Sequence, residues 1–282
     1  MTRPLPFLTV DVFTDRPFLG NPVAVVMDAD GLSPEAMQRI ARWTNLSETT
    51  FVLQPDAPSA DYRLRIFTPD RELPFAGHPT LGSARAVLAT GRVAPRSGRL
   101  VQQCGAGLVP LRVGSDGRLF FEAPPARVTP VGGDDLRALA DALGLADAPP
   151  RLEAIDIGPV WLTGELADAG RLLEMRPDMA ALEALSRRLH ATGVTLHARG
   201  GPADVVVRSF APAAGVPEDP VCGSGNACVA LQRRDGGRRH DYVAAQGEAI
   251  GRAGRIAVAY RDDAIEVGGH AVVCVEGTLR AD

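Results

Sequence analysis

The amino-acid sequence predicts an α+β protein made of two similar halves, and three observations support this prediction. The chain has 282 residues, 45% of them hydrophobic and 23% charged, which is enough to bury two cores of ordinary size. Strand-like and helix-like patterns alternate along the chain, and the alternation starts again after residue 150. A short motif also recurs, because Phe67-Thr-Pro matches Phe210-Ala-Pro at an offset of 143 residues.

The first half opens with two strands and an amphipathic helix. Residues 7–13 alternate apolar and polar side chains, and a Gly-Asn-Pro turn separates them from the apolar run 23–27, which indicates strand, turn and strand. Ser33 followed by Pro34 is typical of a helix start with Ser33 as N-cap. The apolar stripe of this helix consists of Met37, Ile40 and Ala41.

The rest of the first half is strand-rich around one further helix. Residues 49–53 and 62–67 are β-branched or alternating, so we expect strands there. After a loop at 68–78, residues 79–88 predict a helix, and the region 99–123 is again rich in strand signals. One side of the predicted helix carries Leu81, Ala84, Val87 and Leu88.

The segment 124–150 predicts a linker, because it mixes Pro, Gly and Asp around one helix near 134–144. Beyond it we expect strands at 152–162, 203–210 and 242–246, more strands toward the end, and a helix near 178–190. The predicted domains are residues 1–123 and 124–269. The offset of 143 also pairs Pro74 with Pro217, Gly82 with Gly225 and Ala84 with Ala227, as a duplicated half would.

Charge and hydropathy argue against several classes of partner. A net charge of −4 and a pI near 5.8 give no basic surface for nucleic acid. No apolar run is long enough to span a bilayer, and the N-terminus does not resemble a signal peptide. The four cysteines form no C-x-x-C pair, so we expect reduced thiols in a cytoplasmic protein that contacts neither nucleic acid nor membrane.

The composition also excludes two cofactor classes. All 30 residues counted as Lys or Arg are arginines. A pyridoxal phosphate enzyme needs a lysine amine for its Schiff base, and a P-loop needs one for its phosphates. Since the chain also shows no His and Cys spacing typical of zinc, we expect neither a metal nor an organic cofactor.

Two loops place glycine and hydroxyl residues where an apolar helix begins. They are residues 72–83, Glu-Leu-Pro-Phe-Ala-Gly-His-Pro-Thr-Leu-Gly-Ser, and residues 217–226, Pro-Glu-Asp-Pro-Val-Cys-Gly-Ser-Gly-Asn. Free N–H groups and the helix dipole make such a start suitable for an anion. Either loop alone is more simply explained by ordinary helix capping. As a matched pair facing one cleft, they favour a site for a small carboxylate substrate.

Three residues are candidates for proton transfer. Glu48 immediately precedes the apolar run 49–53, where lost solvation would raise its pKa toward that of a general acid or base. His78 lies between Gly77 and Pro79 in a loop, an unusual place for a core histidine. Asp219 lies between Glu218 and Pro220 and could equally be a turn residue, just as Glu48 could be a surface carboxylate and His78 a helix cap.

Cys222 is the one cysteine next to a predicted helix start, in the sequence Cys222-Gly223-Ser224-Gly225. The helix dipole there is expected to lower its thiol pKa, and a thiolate could then abstract a proton from carbon. The alternative is that Cys222 is an inert, small hydrophobic residue.

Taken together, the motifs resemble the PhzF family of phenazine biosynthesis-like proteins, which have the diaminopimelate epimerase fold. The resemblance covers nearly the whole chain. It rests on Asp11-Val-Phe-Thr-Asp, Gly20-Asn-Pro-Val, Asn45-Leu-Ser-Glu-Thr-Thr-Phe, Phe67-Thr-Pro, Glu72-Leu-Pro-Phe-Ala-Gly-His-Pro-Thr, Glu218-Asp-Pro-Val and Gln246-Gly.

The resemblance implies two lobes, each a mixed or antiparallel sheet wrapped round a central helix, with the active site in the cleft between them. It places residues 270–282 as a strand of the first lobe, and it implies a homodimer and a cofactor-independent isomerase. The family's catalytic Glu, His and Asp match Glu48, His78 and Asp219. Its backbone and hydroxyl contacts to substrate match Gly77 and Ser224, and we add Cys222 and Gly223 as binding candidates from the second loop.

The chain departs from the family pattern at Cys222, where relatives commonly have threonine. The sequence Cys-Gly-Ser-Gly is closer to that of two-thiol epimerases, but the second thiol would fall near Ala76, which cannot act. We therefore expect positional isomerisation by Glu48. Two alternatives stay open at this point, namely an epimerase that uses Glu48 with Cys222, and a small-molecule binding protein without turnover.

Overall fold

The computed structural model describes residues 4–147 and 151–281. Among these residues, no helix has both the length and the apolar character needed to cross a membrane. The strands are β1 (Pro4–Val12), β2 (Asn21–Val26), β3 (Thr49–Leu53), β4 (Tyr62–Phe67), β5 (Glu72–Leu73), β6 (Arg99–Cys104), β7 (Gly107–Val113), β8 (Leu119–Glu122), β9 (Arg127–Pro130), β10 (Leu152–Asp156), β11 (Val160–Leu166), β12 (Gly193–Arg199), β13 (Val205–Ala211), β14 (Val216–Asp219), β15 (Tyr242–Gln246), β16 (Gly254–Arg261), β17 (Ala264–Gly269) and β18 (Ala271–Arg280). The helices are α1 (Pro34–Thr44), α2 (Gly77–Ala89), α3 (Gly133–Ala142), α4 (Ala169–Glu174), α5 (Met179–Arg188) and α6 (Gly223–Asp235).

The chain divides into two compact units. Unit 1 comprises Met1–Glu122 and Gly268–Asp282, and unit 2 comprises Ala123–Val267. In unit 1 the strand order is β18-β1-β2-β3-β4-β6-β7-β8. The β2/β3 and β4/β6 pairs are parallel and the other pairs are antiparallel.

Unit 2 repeats the same connectivity. Its strand order is β9-β10-β11-β12-β13-β15-β16, and here the β11/β12 and β13/β15 pairs are the parallel ones. The short strands β5 and β14 fold back onto β4 and β13 as equivalent hairpins. The two similar α+β halves predicted from the sequence are therefore confirmed, and equivalent strand pairs in the two units run in the same relative direction.

A helix buried on nearly every side lies at the centre of each unit. Helix α2 packs against β1, β2, β3, β4, β8 and β18, and α6 packs against β11, β12 and β16. In α2, Thr80, Gly82 and Ser83 are buried as well as the apolar residue Leu81. Close packing explains why α2 contains small residues such as Gly82, because a Cβ there would lie 2.3 Å from a methyl carbon of Val23.

The duplication has a different register from the one predicted. The offset of 143 residues holds for the strand motif, but the central helices begin at Gly77 and Gly223, an offset of 146. The three additional residues lie in the loop after β13, which contains a single 3₁₀ turn at Pro212–Ala214. The pairings of Pro74 with Pro217, Gly82 with Gly225 and Ala84 with Ala227 are therefore wrong, and Gly77 is the structural equivalent of Gly223.

Local sequence signals located most elements well. The predicted strands 49–53, 62–67 and 242–246 agree with β3, β4 and β15, and Ser33 caps α1 by accepting a hydrogen bond from the Ala36 N–H at 3.2 Å. The sequence did not predict β12. Its first six residues are all buried and include polar Thr195 and His197, so it lacks both an alternating and a continuous apolar pattern.

In each unit an Arg–Glu ion pair at equivalent positions links the short strand of the hairpin, β5 or β14, to its partner strand, β4 or β13. In unit 1, Arg65 donates two hydrogen bonds of 2.7 Å to Glu72. In unit 2, Arg208 donates bonds of 2.9 and 2.8 Å to Glu218 and a further one of 2.8 Å to the Met175 carbonyl. The side chains of the second pair are only 4% and 9% exposed, against 19% and 42% in the first.

We expect the two arginines to differ in their effect on stability because of this difference in burial. Arg208→Ala leaves a buried carboxylate without its partner and should lower the free energy of unfolding by about 3–5 kcal/mol. Arg65→Ala, its matched control in unit 1, should cost about 1 kcal/mol or less because water replaces the arginine. Urea unfolding of both variants measures this, and equal losses would show that burial does not set the difference.

Candidate active site

Glu48 is fixed in position by the connection between α1 and β3. Helix α1 ends at Thr44, and the left-handed backbone of its C-cap Asn45 (φ 55°) turns the chain toward the sheet. The hydroxyls of Thr44 and Thr49 lie 2.6 Å apart across this turn. The Glu48 carbonyl accepts a hydrogen bond of 3.4 Å from the Ala24 N–H of β2, so its backbone is held at the start of a central strand.

The environment of the Glu48 carboxyl favours its neutral form. The side chain is 15% exposed, and burial raises its pKa to about 7, against a smaller opposing effect of a hydrogen bond from Ser47. Its Oε2 lies 3.4 Å from His78 Nε2. Within the described residues no donor forms a hydrogen bond to that oxygen. The carboxyl can therefore hold or release a proton near neutral pH.

His78 is the second residue of α2 and is only 8% exposed. Ala76, the residue before the helix, is the N-cap and supplies no side-chain hydrogen bond to the helix start. Gly77 packs directly on Phe121, since a Cβ there would lie 2.6 Å from the ring. An uncapped helix start favours negative charge beside it, and here it lies beside the Glu48–His78 pair.

Buried polar side chains hold α2 in place behind this pair. Ser83 and Thr50 hydroxyls lie 2.8 Å apart, and Gln102 donates a bond of 3.0 Å to Thr80 while accepting one of 3.1 Å from Tyr62. These contacts are not predictable from the sequence pattern, because the partners lie on strands distant in the chain. The network fixes the rotation of α2 and with it the position of His78.

The predicted residues of the second loop lie together at the start of α6 in unit 2. Asp219 ends β14, and its Oδ1 accepts a bond of 3.1 Å from the Val221 N–H. Cys222 is the N-cap of α6, and its Sγ accepts a bond of 3.2 Å from the Gly225 N–H. Gly223 and Ser224 are the first two helical residues.

Gln246 holds this loop onto the helix and is fully buried. Its Oε1 accepts hydrogen bonds from the Cys222 N–H at 3.1 Å and from Asn226 Nδ2 at 2.8 Å. Its Nε2 donates to the Asp219 carbonyl at 3.0 Å. Gln246 appeared in the sequence only as part of a Gln-Gly motif, and the structure shows that one amide ties Asp219, Cys222 and Asn226 together.

The expectation that the helix start would lower the Cys222 pKa is wrong. Burial, followed by the nearby negative charge of Asp219, raises the pKa of the thiol well above its ordinary value. The contacts of the sulfur with Ser224 Oγ and with the Gly225 N–H lower the pKa, but their effects are smaller. Cys222 is 4% exposed, so desolvation outweighs the dipole and the sulfur remains a thiol at neutral pH.

The structure thus brings Glu48, His78 and Gly77 together in unit 1, and Asp219, Cys222, Gly223 and Ser224 together in unit 2. Trp161, which the sequence analysis did not single out, joins the second group by donating a hydrogen bond of 2.9 Å from Nε1 to Ser224 Oγ. Within residues 4–147 and 151–281, no group of three His, Cys, Asp or Glu side chains is arranged to hold a metal ion.

Structural comparison defines the class of fold. A PhzF-family phenazine biosynthesis protein from Bacillus anthracis, 25% identical, superimposes with a TM-score of 0.86 over 98% of this chain and 99% of that one. A hydroxyproline epimerase from Agrobacterium vitis, 14% identical, superimposes with a TM-score of 0.67 over 99% and 94% of the two chains. The chain therefore has the epimerase-like α+β fold.

Sequence comparison identifies the family within that class. The profile described as phenazine biosynthesis-like protein (PhzC-PhzF) matches residues 10–277, and the chain belongs to this family. A trans-2,3-dihydro-3-hydroxyanthranilate isomerase from Pseudomonas aeruginosa is 35% identical over 96% of this chain and 98% of its own length. Antisense-enhancing sequence 1 from Schizosaccharomyces pombe is 38% identical over 96% and 97%. By family, the protein is an isomerase of the PhzF type.

The raised pKa of Glu48 predicts a pH-dependent stability. Its pKa is about 7 in the folded protein against 4.5 ordinarily, so the folded state binds more protons than the unfolded state between these values. The contribution is fully present below about pH 4.5 and is lost as pH rises through 7. The loss amounts to up to about 3 kcal/mol, at about 1.4 kcal/mol for each pKa unit.

Glu48→Gln should remove this dependence. Relative to wild type, its free energy of unfolding should increase between pH 5 and pH 8, as measured by urea titration across that range. Glu276→Gln changes an exposed glutamate of the same unit. Its free energy of unfolding should differ from that of wild type by the same amount at every pH in this range. A wild type and a Glu48→Gln variant that respond identically to pH would show that Glu48 ionises with an ordinary pKa.

Proposed function

We propose that the protein moves a proton between carbon atoms of a small carboxylate-bearing substrate, with Glu48 as the acid–base residue. The observation that carries this proposal is the Glu48 carboxyl itself. It is buried, its pKa is about 7, and its Oε2 lies 3.4 Å from His78 Nε2 without a hydrogen bond from the described residues. A general acid–base residue works best with a pKa near the operating pH.

The proposed reaction needs one proton and no external electron carrier. Ionised Glu48 removes a proton from a carbon next to a conjugated system, and the electron pair of that C–H bond enters the conjugated system. The double bonds shift, and neutral Glu48 returns a proton to a different carbon. His78 and Asp219 are the further candidates for orienting the substrate or transferring a proton. The substrate and product are isomers, so atoms and electrons balance.

In this proposal the carboxylate of the substrate binds at the N-terminus of one of the two central helices. Gly77 and Gly223 are the first residues of α2 and α6, where N–H groups and the helix dipole favour an anion. Ser224 adds a hydroxyl and is half-buried. The named activity of the Pseudomonas aeruginosa relative makes trans-2,3-dihydro-3-hydroxyanthranilate the first substrate to test, followed by other cyclic and amino-acid carboxylates.

Glu48→Gln should lower turnover by about 10² to 10⁴-fold, because the amide has nearly the same shape but cannot accept the proton. The reaction is run in D₂O on trans-2,3-dihydro-3-hydroxyanthranilate and on the carboxylate panel, and products are read by mass spectrometry and NMR. For wild type, kcat/KM should rise with pH through about 7 as Glu48 ionises. The exposed-residue control, Glu276→Gln, should retain full activity.

The position of the deuterium distinguishes the candidate functions. Deuterium at a new carbon supports positional isomerisation, whereas inversion with deuterium at the original carbon indicates an epimerase. No incorporation and no product with any carboxylate of the panel would contradict the proposal and leave a binding protein. Glu48→Gln activity within tenfold of wild type would exclude Glu48 as the proton-transfer residue.

Cys222→Thr separates the isomerase from the Glu48–Cys222 epimerase. Because the Cys222 sulfur is a buried N-cap with a raised thiol pKa, we expect threonine, whose hydroxyl can also cap a helix, to keep activity within about tenfold. Cys228→Thr, at a buried cysteine inside α6, controls for general effects on folding. A folded Cys222→Thr variant that loses more than about 100-fold in kcat would assign the thiol a proton-transfer role.

A further inference from the structure

The hydrogen bond between Trp161 and Ser224 fixes the direction in which the serine hydroxyl acts. Trp161 lies on β11 and is 3% exposed, and its Nε1 is 2.9 Å from Ser224 Oγ. An indole N–H can only donate a hydrogen bond. The serine oxygen is therefore the acceptor in this contact, and the serine proton must point elsewhere.

The other polar neighbour of Ser224 is a poor partner for that proton. Cys222 Sγ lies 3.5 Å from Ser224 Oγ, and it already accepts the hydrogen bond of the Gly225 N–H at 3.2 Å. Sulfur in a neutral thiol is a weak acceptor. In the first turn of α6, Gly223, Gly225 and Asn226 are buried, whereas Ser224 is half-buried, so its hydroxyl can reach a ligand.

From this geometry we propose that Trp161 is a positioning residue that makes Ser224 a dedicated hydrogen-bond donor to a carboxylate or carbonyl oxygen of the substrate. The inference rests on the proposed function, in which Ser224 contacts the substrate. A serine hydroxyl normally donates and accepts equally well. With one lone pair engaged by Trp161 and its proton directed away from the indole, Ser224 favours an acceptor oxygen over an amine at the same point.

NMR of the indole N–H groups tests the proposal in the folded wild-type protein. The chain has two tryptophans, so a ¹⁵N-labelled sample gives two indole signals, and Trp43→Phe assigns them. Trp43 is 77% exposed on α1, which makes its signal an internal control. The probe is anthranilate, which carries the ring carboxylate and amine of the relative's named substrate.

Anthranilate should shift the Trp161 signal in wild type, leave the Trp43 signal in place, and shift the Trp161 signal at least several-fold less in Ser224→Ala. A Trp161 signal that does not move at saturating anthranilate, or that moves equally in Ser224→Ala, overturns the proposal. Failure of anthranilate to bind the wild type at 10 mM, a concentration set for the assay, overturns it too, since an oriented donor should capture a carboxylate.

A double-mutant cycle measured by calorimetry shows whether Trp161 acts through Ser224. Trp161→Phe and Ser224→Ala should each weaken anthranilate binding about tenfold, the scale of one hydrogen bond to a charged group. The double variant should bind anthranilate no more weakly than Ser224→Ala does. Independent roles would instead weaken binding by the double variant about 100-fold relative to wild type. Additive losses, or wild-type affinity in a folded Trp161→Phe, overturn the proposal. If Trp161→Phe does not fold, the NMR comparison alone decides.

These outcomes separate this inference from the proposed function. Binding of anthranilate needs no proton transfer, so the cycle can succeed even if Glu48→Gln retains full turnover. Conversely, loss of turnover in Glu48→Gln together with an unmoved Trp161 signal keeps the isomerase and removes the role of Trp161.

Discussion

The fold of each unit depends on burying a whole helix inside a curved sheet. Helix α2 has strands of its unit on several sides, and its packing requires Gly82, where a Cβ would lie 2.3 Å from Val23. A helix buried in this way also buries its first turn, where N–H groups lack helical partners. The fold therefore places the start of α2, with His78, in a poorly solvated region beside Glu48.

Burial has opposite effects on the reactivity of the two ionisable candidates, Glu48 and Cys222. For Glu48, burial raises the pKa to about 7, which makes the carboxyl useful as an acid and as a base. For Cys222, burial raises the thiol pKa well above its ordinary value, so the reactive anion is suppressed. The same desolvation thus moves the carboxyl pKa toward neutral pH and the thiol pKa away from it, because their ordinary values lie on opposite sides of neutrality.

Much of this arrangement could be predicted from the sequence because strand periodicity, helix caps and motifs are local signals. They gave β3 and β4 with correct bounds, the N-cap Ser33, and Glu48 at the start of a buried strand. The remaining features depend on contacts between distant residues. The 3.4 Å approach of Glu48 to His78 spans 30 residues of chain, and the Trp161–Ser224 bond spans 63. Burial at Cys222 is likewise a property of packing, which a helix-start pattern does not contain.

Duplication explains why the two helix starts can have different chemistry on the same backbone frame. Ala76 and Cys222 are equivalent N-caps, and His78 and Ser224 are equivalent second residues of α2 and α6. A symmetric enzyme would need matching acid–base groups at both starts. Here one start has an uncapped helix with a histidine beside an ionisable carboxyl, and the other has a thiol cap, a tryptophan and an oriented hydroxyl. Duplication therefore kept the backbone of the helix start but not its side chains, which agrees with the proposal of a single acid–base residue, Glu48.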